Sequence, residues 1–308
     1  MSKIAFIYPG QGAQKAGMAA DFYEKSKSAR EIFDNATSLL NIDMKKLCFD
    51  ENDKLDITEY TQAALVTTYL AMTKVVEEAG LTADVTAGLS LGEYAAIAVA
   101  GGMSYEAAIK TVRCRGILMQ NTVKPGVGAM SAIIGMNYQD IEKVIADIED
   151  VTIANYNCPG QIVITGKIEG VNIANEKLKE AGARRCVLLN VSGPFHSPLL
   201  KEAGENLRAE LDKVEFTQLK IPYYTNVTAK RIENISETKD LLEKQVYSSV
   251  RWQQSIENMI ADGVDTFVEI GPGKTLAGFM KKINKEVKVY NIQNFEDVEP
   301  VIKEIKEC

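Results

Sequence analysis

Residues Val85 to Ala96 constrain this chain more than any other stretch. Val85-Thr86-Ala87-Gly88-Leu89 reads as a short buried strand, and Ser90-Leu91-Gly92-Glu93-Tyr94-Ala95-Ala96 as a helix rich in small residues. Between them Gly88-Leu89-Ser90-Leu91-Gly92 matches G-x-S-x-G in the context that pattern requires, strand before and helix after. The serine must sit in a tight, strained turn, and the flanking glycines remove Cβ atoms that would strike neighbouring backbone. The new helix aims N–H groups at any oxyanion forming beside the serine. The same residues would also suit a serine that merely caps a helix between two packing glycines.

The surrounding pattern repeats this geometry. Ile4 to Tyr8 is an apolar run ending in Pro9-Gly10-Gln11-Gly12, and Thr266 to Ile270 is another, ending in Gly271-Pro272-Gly273-Lys274-Thr275. Thr61 to Ala79 sets Leu65, Tyr69, Met72 and Val76 at helical spacing before Gly80. Ser104 caps a further helix with Ile109, Val112, Gly116 and Met119 along one side, and a long helix runs from about Leu199 to Leu211. Strand–turn–helix units of this kind predict an α/β fold with a mostly parallel sheet covered by helices.

The middle of the chain has another rhythm. Strands are expected over Val127–Met136, Val151–Tyr156, Gln161–Gly166 and Arg184–Val191, with helices over Tyr138–Glu149 and Gly170–Ala181 and a turn at Asn157-Cys158-Pro159-Gly160. That β-α-β-β-α-β order is the ferredoxin-like unit. We therefore expect a small domain over residues 123–192, inserted in a large α/β catalytic domain of residues 1–122 and 193–308.

Composition removes several classes of function. Lys and Arg number 35 against 42 Asp and Glu, a net charge of −7 that argues against a nucleic-acid partner. At 46% hydrophobic and 25% charged, the 308 residues can bury a large core, which excludes disorder as the main state. The five cysteines, at 48, 114, 158, 186 and 308, form no CxxC pair and suit a reducing cytoplasm. A single histidine leaves no cluster for catalytic zinc, and no metal is expected. MSKIAFIYPG reads as a strand, not as a signal peptide, and the apolar stretch from Val85 to Met103 holds Glu93 and much Gly and Ala, so no membrane association is expected. Asn226-Val-Thr228 and Asn234-Ile-Ser236 are then chance matches to the glycosylation pattern.

A serine nucleophile needs a base, and His196, on the loop Ser192-Gly193-Pro194-Phe195-His196-Ser197-Pro198, is the one histidine available. Arg113 and Arg115 follow the elbow helix; each suits a solvated face, or a bidentate grip on a carboxylate. Gln11 could donate to an oxyanion by side chain or backbone, or simply make a turn. Two nucleotide-binding patterns fail: Lys15 stands where G-x-G-x-x-G needs its third glycine, and Val268 where a phosphate loop needs its first.

Taken in order, Phe6-Ile7-Tyr8-Pro9-Gly10-Gln11-Gly12, Gly88-Leu89-Ser90-Leu91-Gly92-Glu93-Tyr94, Arg115-Gly116, Gly128-Ala129-Met130, Asn155-Tyr156-Asn157-Cys158-Pro159-Gly160-Gln161, Pro194-Phe195-His196 and Glu269-Ile270-Gly271-Pro272-Gly273 resemble the malonyl-CoA:acyl-carrier-protein transacylases of bacterial type II fatty-acid synthesis. The resemblance runs from about residue 4 to residue 280. It implies an α/β-hydrolase-like core with a ferredoxin-like insert and a ping-pong transfer of malonyl from malonyl-CoA to the phosphopantetheine thiol of acyl carrier protein, with no bound cofactor. It implies Ser90 as nucleophile, His196 as base, and Gln11 with the Leu91 N–H as oxyanion hole. Arg115 would hold the malonyl carboxylate, and the Gln245 carbonyl would orient the histidine in a dyad without a carboxylate third member. Asn157 lines up with an asparagine near the acyl pocket, and Phe195 with a ring that leaves no room for an α-methyl branch. The family usually has His where this chain has Leu89; that residue sits behind the serine and is not the base, so the chemistry should survive the change.

Two other readings stay open on the sequence. A serine hydrolase or thioesterase could use the same elbow, although such enzymes usually run Ser, then Asp or Glu, then His. A non-catalytic module that binds an acyl carrier is the second. An acidic carrier would need a local basic patch, for which Arg184, Arg185, Lys281 and Lys282 are candidates. We expect a cytoplasmic monomer.

Overall fold

The computed structural model describes residues 2–307, and Cys308 lies outside the described residues. Ten strands form two sheets. Along the chain they are β1 (Ile4–Tyr8), β2 (Val85–Gly88), β3 (Gly128–Ile134), β4 (Val151–Cys158), β5 (Gln161–Lys167), β6 (Arg185–Leu188), β7 (Tyr223–Tyr224), β8 (Arg231–Ile232), β9 (Thr266–Ile270) and β10 (Lys288–Ile292).

The larger sheet has the order β10-β9-β1-β2-β7-β8, parallel throughout except for β8 against β7. Its central strands β9, β1 and β2 are buried at every position but Ile4 because both faces are covered. Along β1, Phe6 and Tyr8 point into one core cluster while Ala5 and Ile7 point into the other, the two-residue alternation of a strand. The first cluster packs on the helix Thr58–Glu78, which is buried around most of its circumference. The second packs on the helices Trp252–Ala261 and Thr275–Ile283. The smaller sheet has the order β4-β5-β3-β6 with every pair antiparallel. Ile133, Ile153, Ile162 and Ile164 on one of its faces meet the helices Tyr138–Ile145 and Ile168–Glu180. Met130, Ala154 and Val163 on the other face join the core of the larger body. Edge strand β4 is also stitched to that body: Val250 N–H donates to Ala154 O at 2.8 Å, and Tyr156 N–H to Val250 O at 2.9 Å.

The expected elements stand with small shifts. Ser104 caps its helix by accepting the Ala107 N–H, and Ile109, Val112, Gly116 and Met119 are buried along Tyr105–Asn121. The predicted four-residue turn at Asn157–Gly160 shrinks to Pro159-Gly160, because β4 runs on through Asn157 and Cys158 with a register shift after Tyr156. The last expected strand of that region stops at Leu188; Leu189, Asn190 and Val191 leave the sheet and wall a cavity instead. Helix Lys201–Leu211 is preceded by a 3-10 turn over Pro198–Leu200. Four cysteines are free, two of them buried. Among the described residues no helix is long and apolar enough to cross a membrane.

Gly88 and Gly92 fix how closely the elbow helix, Gly92–Val99, meets the sheet. A Cβ on Gly88 would stand 1.9 Å from Gly92 C, and one on Gly92 would stand 2.4 Å from Tyr8 O. Backbone cannot yield as a flexible side chain can, so G88A and G92A should each cost more than about 4 kcal/mol in denaturant unfolding. The exposed helical Gly278 has no atom within 4 Å of such a Cβ, so G278A should stabilise by about 1 kcal/mol. A G92A protein as stable as wild type would contradict this account.

Candidate active site

Ser90 lies in the turn between β2 and the elbow helix with φ 56°, a left-handed conformation that serine adopts only under constraint. The constraint is visible. Its N–H donates to Asn226 Oδ1 at 2.6 Å, and Asn226 Nδ2 donates to Gly88 O at 2.7 Å, so one buried amide brackets the turn. His196 is also left-handed, φ 58°. Its loop is closed by the Ser197 hydroxyl donating to Pro194 O at 2.7 Å.

These two strained residues meet. Ser90 Oγ is 2.8 Å from His196 Nε2. His196 Nδ1 is 2.8 Å from Gln245 O. A carbonyl only accepts, so Nδ1 carries the proton and Nε2 is left to accept from the serine hydroxyl. Gln245 is the last residue of the helix Thr238–Gln245, where carbonyls have no partner within the helix, and this explains why its oxygen is available. Burial and the nearby Arg115 charge push His196 down to about 3, so it stands neutral as a base.

Arg115, from the helix Tyr105–Asn121, is buried to 1% exposure. That excludes the solvated face considered for it. Nη1 donates to Gln62 Oε1 at 2.6 Å; Nη2 donates to Gln245 Oε1 at 3.0 Å and to Ser90 Oγ at 3.1 Å. Its guanidinium lies 5.6 Å from the Tyr94 ring centre. Buried Nε has no hydrogen-bond partner among the described residues. Arg113 is not brought to the site: it pairs with Glu59 at 2.8 Å and covers the Tyr60 ring.

A cavity of about 980 Å³ opens between the two bodies and reaches these groups. Gln11, Leu91, Phe195 and Asn157 all line it. The Gln11 side-chain amide donates one of its two N–H groups to Thr58 Oγ1 at 3.1 Å, and the backbone N–H groups of Gln11 and Leu91 have no acceptor among the described residues. Leu89 also lines the cavity instead of standing wholly behind the serine, and a Cβ on Gly10 would be 2.7 Å from its Cδ2. Arg184, Arg185 and Lys282 gather at one end of the small sheet: Arg185 pairs with Ile134, Ile134 with Gln161, and the Gln161 side chain is 3.5 Å from Lys282 Nζ. Among the described residues no three His, Cys, Asp or Glu side chains converge as a metal site.

Sequence reasoning missed Gln62, Asn226 and the role of Glu93. Gln62 lies in no motif and Asn226 only in a glycosylation pattern read as a chance match, so spacing held no signal for their place in the site. Glu93 was visible within the elbow motif, but a polar residue on the first turn of a helix ordinarily faces water. Here it is fully buried, accepting from Gln245 Nε2 at 2.5 Å and Asn226 N–H at 3.1 Å. The assembly is a hydroxyl beside a neutral imidazole, two free backbone donors and a buried cation whose Nε–H and second Nη1–H have no acceptor among the described residues. That set suits acyl transfer with an anionic acyl group.

Known proteins carry the same plan. The acyl transferase domain family matches residues 5–304. The malonyl CoA-acyl carrier protein transacylase of Bacillus subtilis strain 168 is 43% identical, over 100% of this chain and 98% of its own length. The crystal structure of the Clostridium perfringens malonyl CoA-acyl carrier protein transacylase superposes with a TM-score of 0.96 at 38% identity, covering 99% of this chain and 98% of that one. A type II PKS malonyl-transacylase in complex with its acyl-carrier protein gives 0.95 at 34% identity, covering 98% of this chain and 100% of that one. The chain belongs to the acyl transferase domain family, among the malonyl CoA-acyl carrier protein transacylases.

Proposed function

We propose that this enzyme transfers the malonyl group of malonyl-CoA to the phosphopantetheine thiol of acyl carrier protein, through a malonyl-serine ester, and so supplies fatty-acid chain elongation. The observation that carries the reading is the meeting of Ser90 Oγ with both His196 Nε2 and Arg115 Nη2 in one cavity.

His196 takes the Ser90 proton on Nε2 as Oγ bonds to the thioester carbon. The oxyanion is received by the N–H groups of Gln11 and Leu91. The C–S bond breaks, and the imidazolium returns its proton to the departing CoA thiolate. In the second half the carrier thiol gives its proton to His196 and attacks the ester, and Ser90 recovers the proton as it leaves. Arg115 receives the malonyl carboxylate from the Nη2 edge that meets Ser90 Oγ, a charge-assisted contact that a neutral acetyl group cannot make. Phe195 and Asn157 wall the acyl end of the cavity. No cofactor enters these steps; malonyl-CoA and the carrier are substrates.

The finer architecture fits the same reading. Read from its β6 edge, the small sheet runs fourth, first, third, second strand of its own unit, with both helices on one face, which supports a ferredoxin-like domain over residues 123–192. The elbow in a parallel sheet supports an α/β-hydrolase-like catalytic domain over 1–122 and 193–308. We place the enzyme in the cytoplasm as a monomer.

Intact-protein mass after brief mixing with malonyl-CoA and an acid quench should show a malonyl-sized gain that added carrier protein discharges, and none in S90A. Malonate release without an acceptor would instead make the protein a thioesterase. R115A should load malonyl roughly 100-fold more slowly, the loss of one buried charge-assisted pair, while its relative acetyl loading rises; unchanged selectivity refutes the carboxylate role. Proton linkage gives a third check. The folded value of His196 lies below the usual 6.5, so its contribution to stability is complete above that pH and is lost as pH falls toward 3. Below about pH 6, wild type should lose unfolding free energy relative to H196A by about 1.4 kcal/mol per pH unit. Equal slopes would show that the imidazole is not held neutral.

A further inference from the structure

Two glutamates are wholly buried. Glu269 accepts the N–H groups of Leu276 and Ala277 at the start of the helix Thr275–Ile283, a structural cap far from the reacting atoms in the chain's logic. Glu93 has no such task, and the reaction steps above do not use it.

We propose that Glu93 is a positioning residue for acyl transfer, whose carboxylate fixes the Gln245 amide and the Asn226 backbone so that nucleophile, histidine-orienting carbonyl and guanidinium share one frame. The proposal rests on the acyl-transfer reading of the site. Three observations support it. First, a side-chain amide can face either way, and only its partners decide. Gln245 Nε2 donates to Glu93 Oε2 at 2.5 Å and to Ser90 O at 3.0 Å, which leaves Oε1 toward Arg115 Nη2. Oε2 meets that NH2 as an acceptor, and the flipped amide would set NH2 against the guanidinium, donor against donor.

Second, the other hydrogen bond to Glu93 Oε2 comes from Asn226 N–H, and Asn226 is the residue whose side chain brackets Ser90 N–H and Gly88 O. One oxygen therefore anchors both the strained turn and the residue whose carbonyl holds His196. Third, Arg115 is buried with no carboxylate in contact, so the oxygen that Gln245 turns toward it is part of what compensates the cation, and Glu93 sets that orientation from the other end of the amide. The other titratable groups around Glu93 are Tyr94 and Tyr223, both held neutral by burial, and His196 beyond Gln245 is neutral as well. Burial brings the Glu93 carboxyl up to about 7, offset by its hydrogen bonds and by Arg115.

Reach and charge are separated by two variants. E93Q keeps the reach and an accepting oxygen but loses the charge; E93D keeps the charge and withdraws the oxygen by one methylene. Each is assayed for folding by thermal unfolding, for Ser90 acylation by rapid-quench mass after mixing with malonyl-CoA, and for Ser90 labelling by phenylmethanesulfonyl fluoride, which releases fluoride and needs no acyl donor. Rates are taken per folded protein. E93D should acylate roughly 100-fold more slowly, as expected when reacting groups are misplaced by about 1 Å. E93Q should stay within about fivefold of wild type, and sulfonyl labelling should follow the same order with a smaller spread. A merely structural Glu93 would lower the melting temperature and leave the rate of the folded fraction unchanged in both, which overturns the proposal. So does the reverse order, E93D active and E93Q slow. If E93D does not fold, E93A takes its place with the same expected loss and the same refuting result, and a roughly 100-fold loss in a folded E93Q refutes the proposal in either case. A wild-type enzyme that forms no malonyl adduct defeats the transfer reading instead, and sulfonyl labelling of the two variants still judges Glu93.

Discussion

Burying a guanidinium with no carboxylate touching it dictates the composition of everything around it. A charge withdrawn from water is costly unless dipoles replace the lost hydration. Around Arg115 that replacement is made by the amide oxygens of Gln62 and Gln245, the Ser90 hydroxyl and the face of Tyr94. Each neighbour is thereby fixed in orientation, since an oxygen must face the cation. The compensation is incomplete: Nε–H and the second Nη1–H have no acceptor among the described residues, which is why the cation suits an anionic acyl group in the function proposed.

The second constraint is backbone strain at the two reacting residues. Ser90 and His196 both occupy left-handed conformations, each worth about 1–3 kcal/mol of strain. They are held there by unlike means. Ser90 is trapped between glycines that let backbone approach backbone and an asparagine that clamps the turn. His196 is held by a short loop closed on its own carbonyl and by the end of a helix presenting a bare oxygen. His196 is thus oriented by main-chain carbonyls and Ser90 by a side-chain amide, neither of which titrates.

The parts legible in the sequence were those set by local rules. Strand, elbow and helix at Val85–Ala96, the cap at Ser104 and the hairpin strands of the small sheet follow from periodicity and turn chemistry acting over a few residues. Ser90 and His196 were legible because one motif demands a base and the chain offers a single histidine. Arg115 was not decided by the residues alone, since its position on a helix suits water as well as a core. Asn226, Gln62 and Glu93 were illegible because their significance lies in contacts across 53 to 136 residues that only the closed fold creates. The Gln11 amide gives one N–H to Thr58, a hydroxyl three residues ahead of the predicted start of its helix, a contact that spacing could not reveal.

The stitching of β4 to Val250 has a mechanical meaning. Val250 lies five residues after Gln245, the residue whose carbonyl orients His196, and Ser249 between them is also tied to β4 through Ile153 O at 2.6 Å. The segment from Gln245 to Val250 is therefore a short tether with the histidine at one end and the small sheet at the other. A shift of the small sheet would therefore reach the Gln245 carbonyl, and so His196, directly along the chain, whereas the Ser90 turn is clamped within the larger body by Asn226.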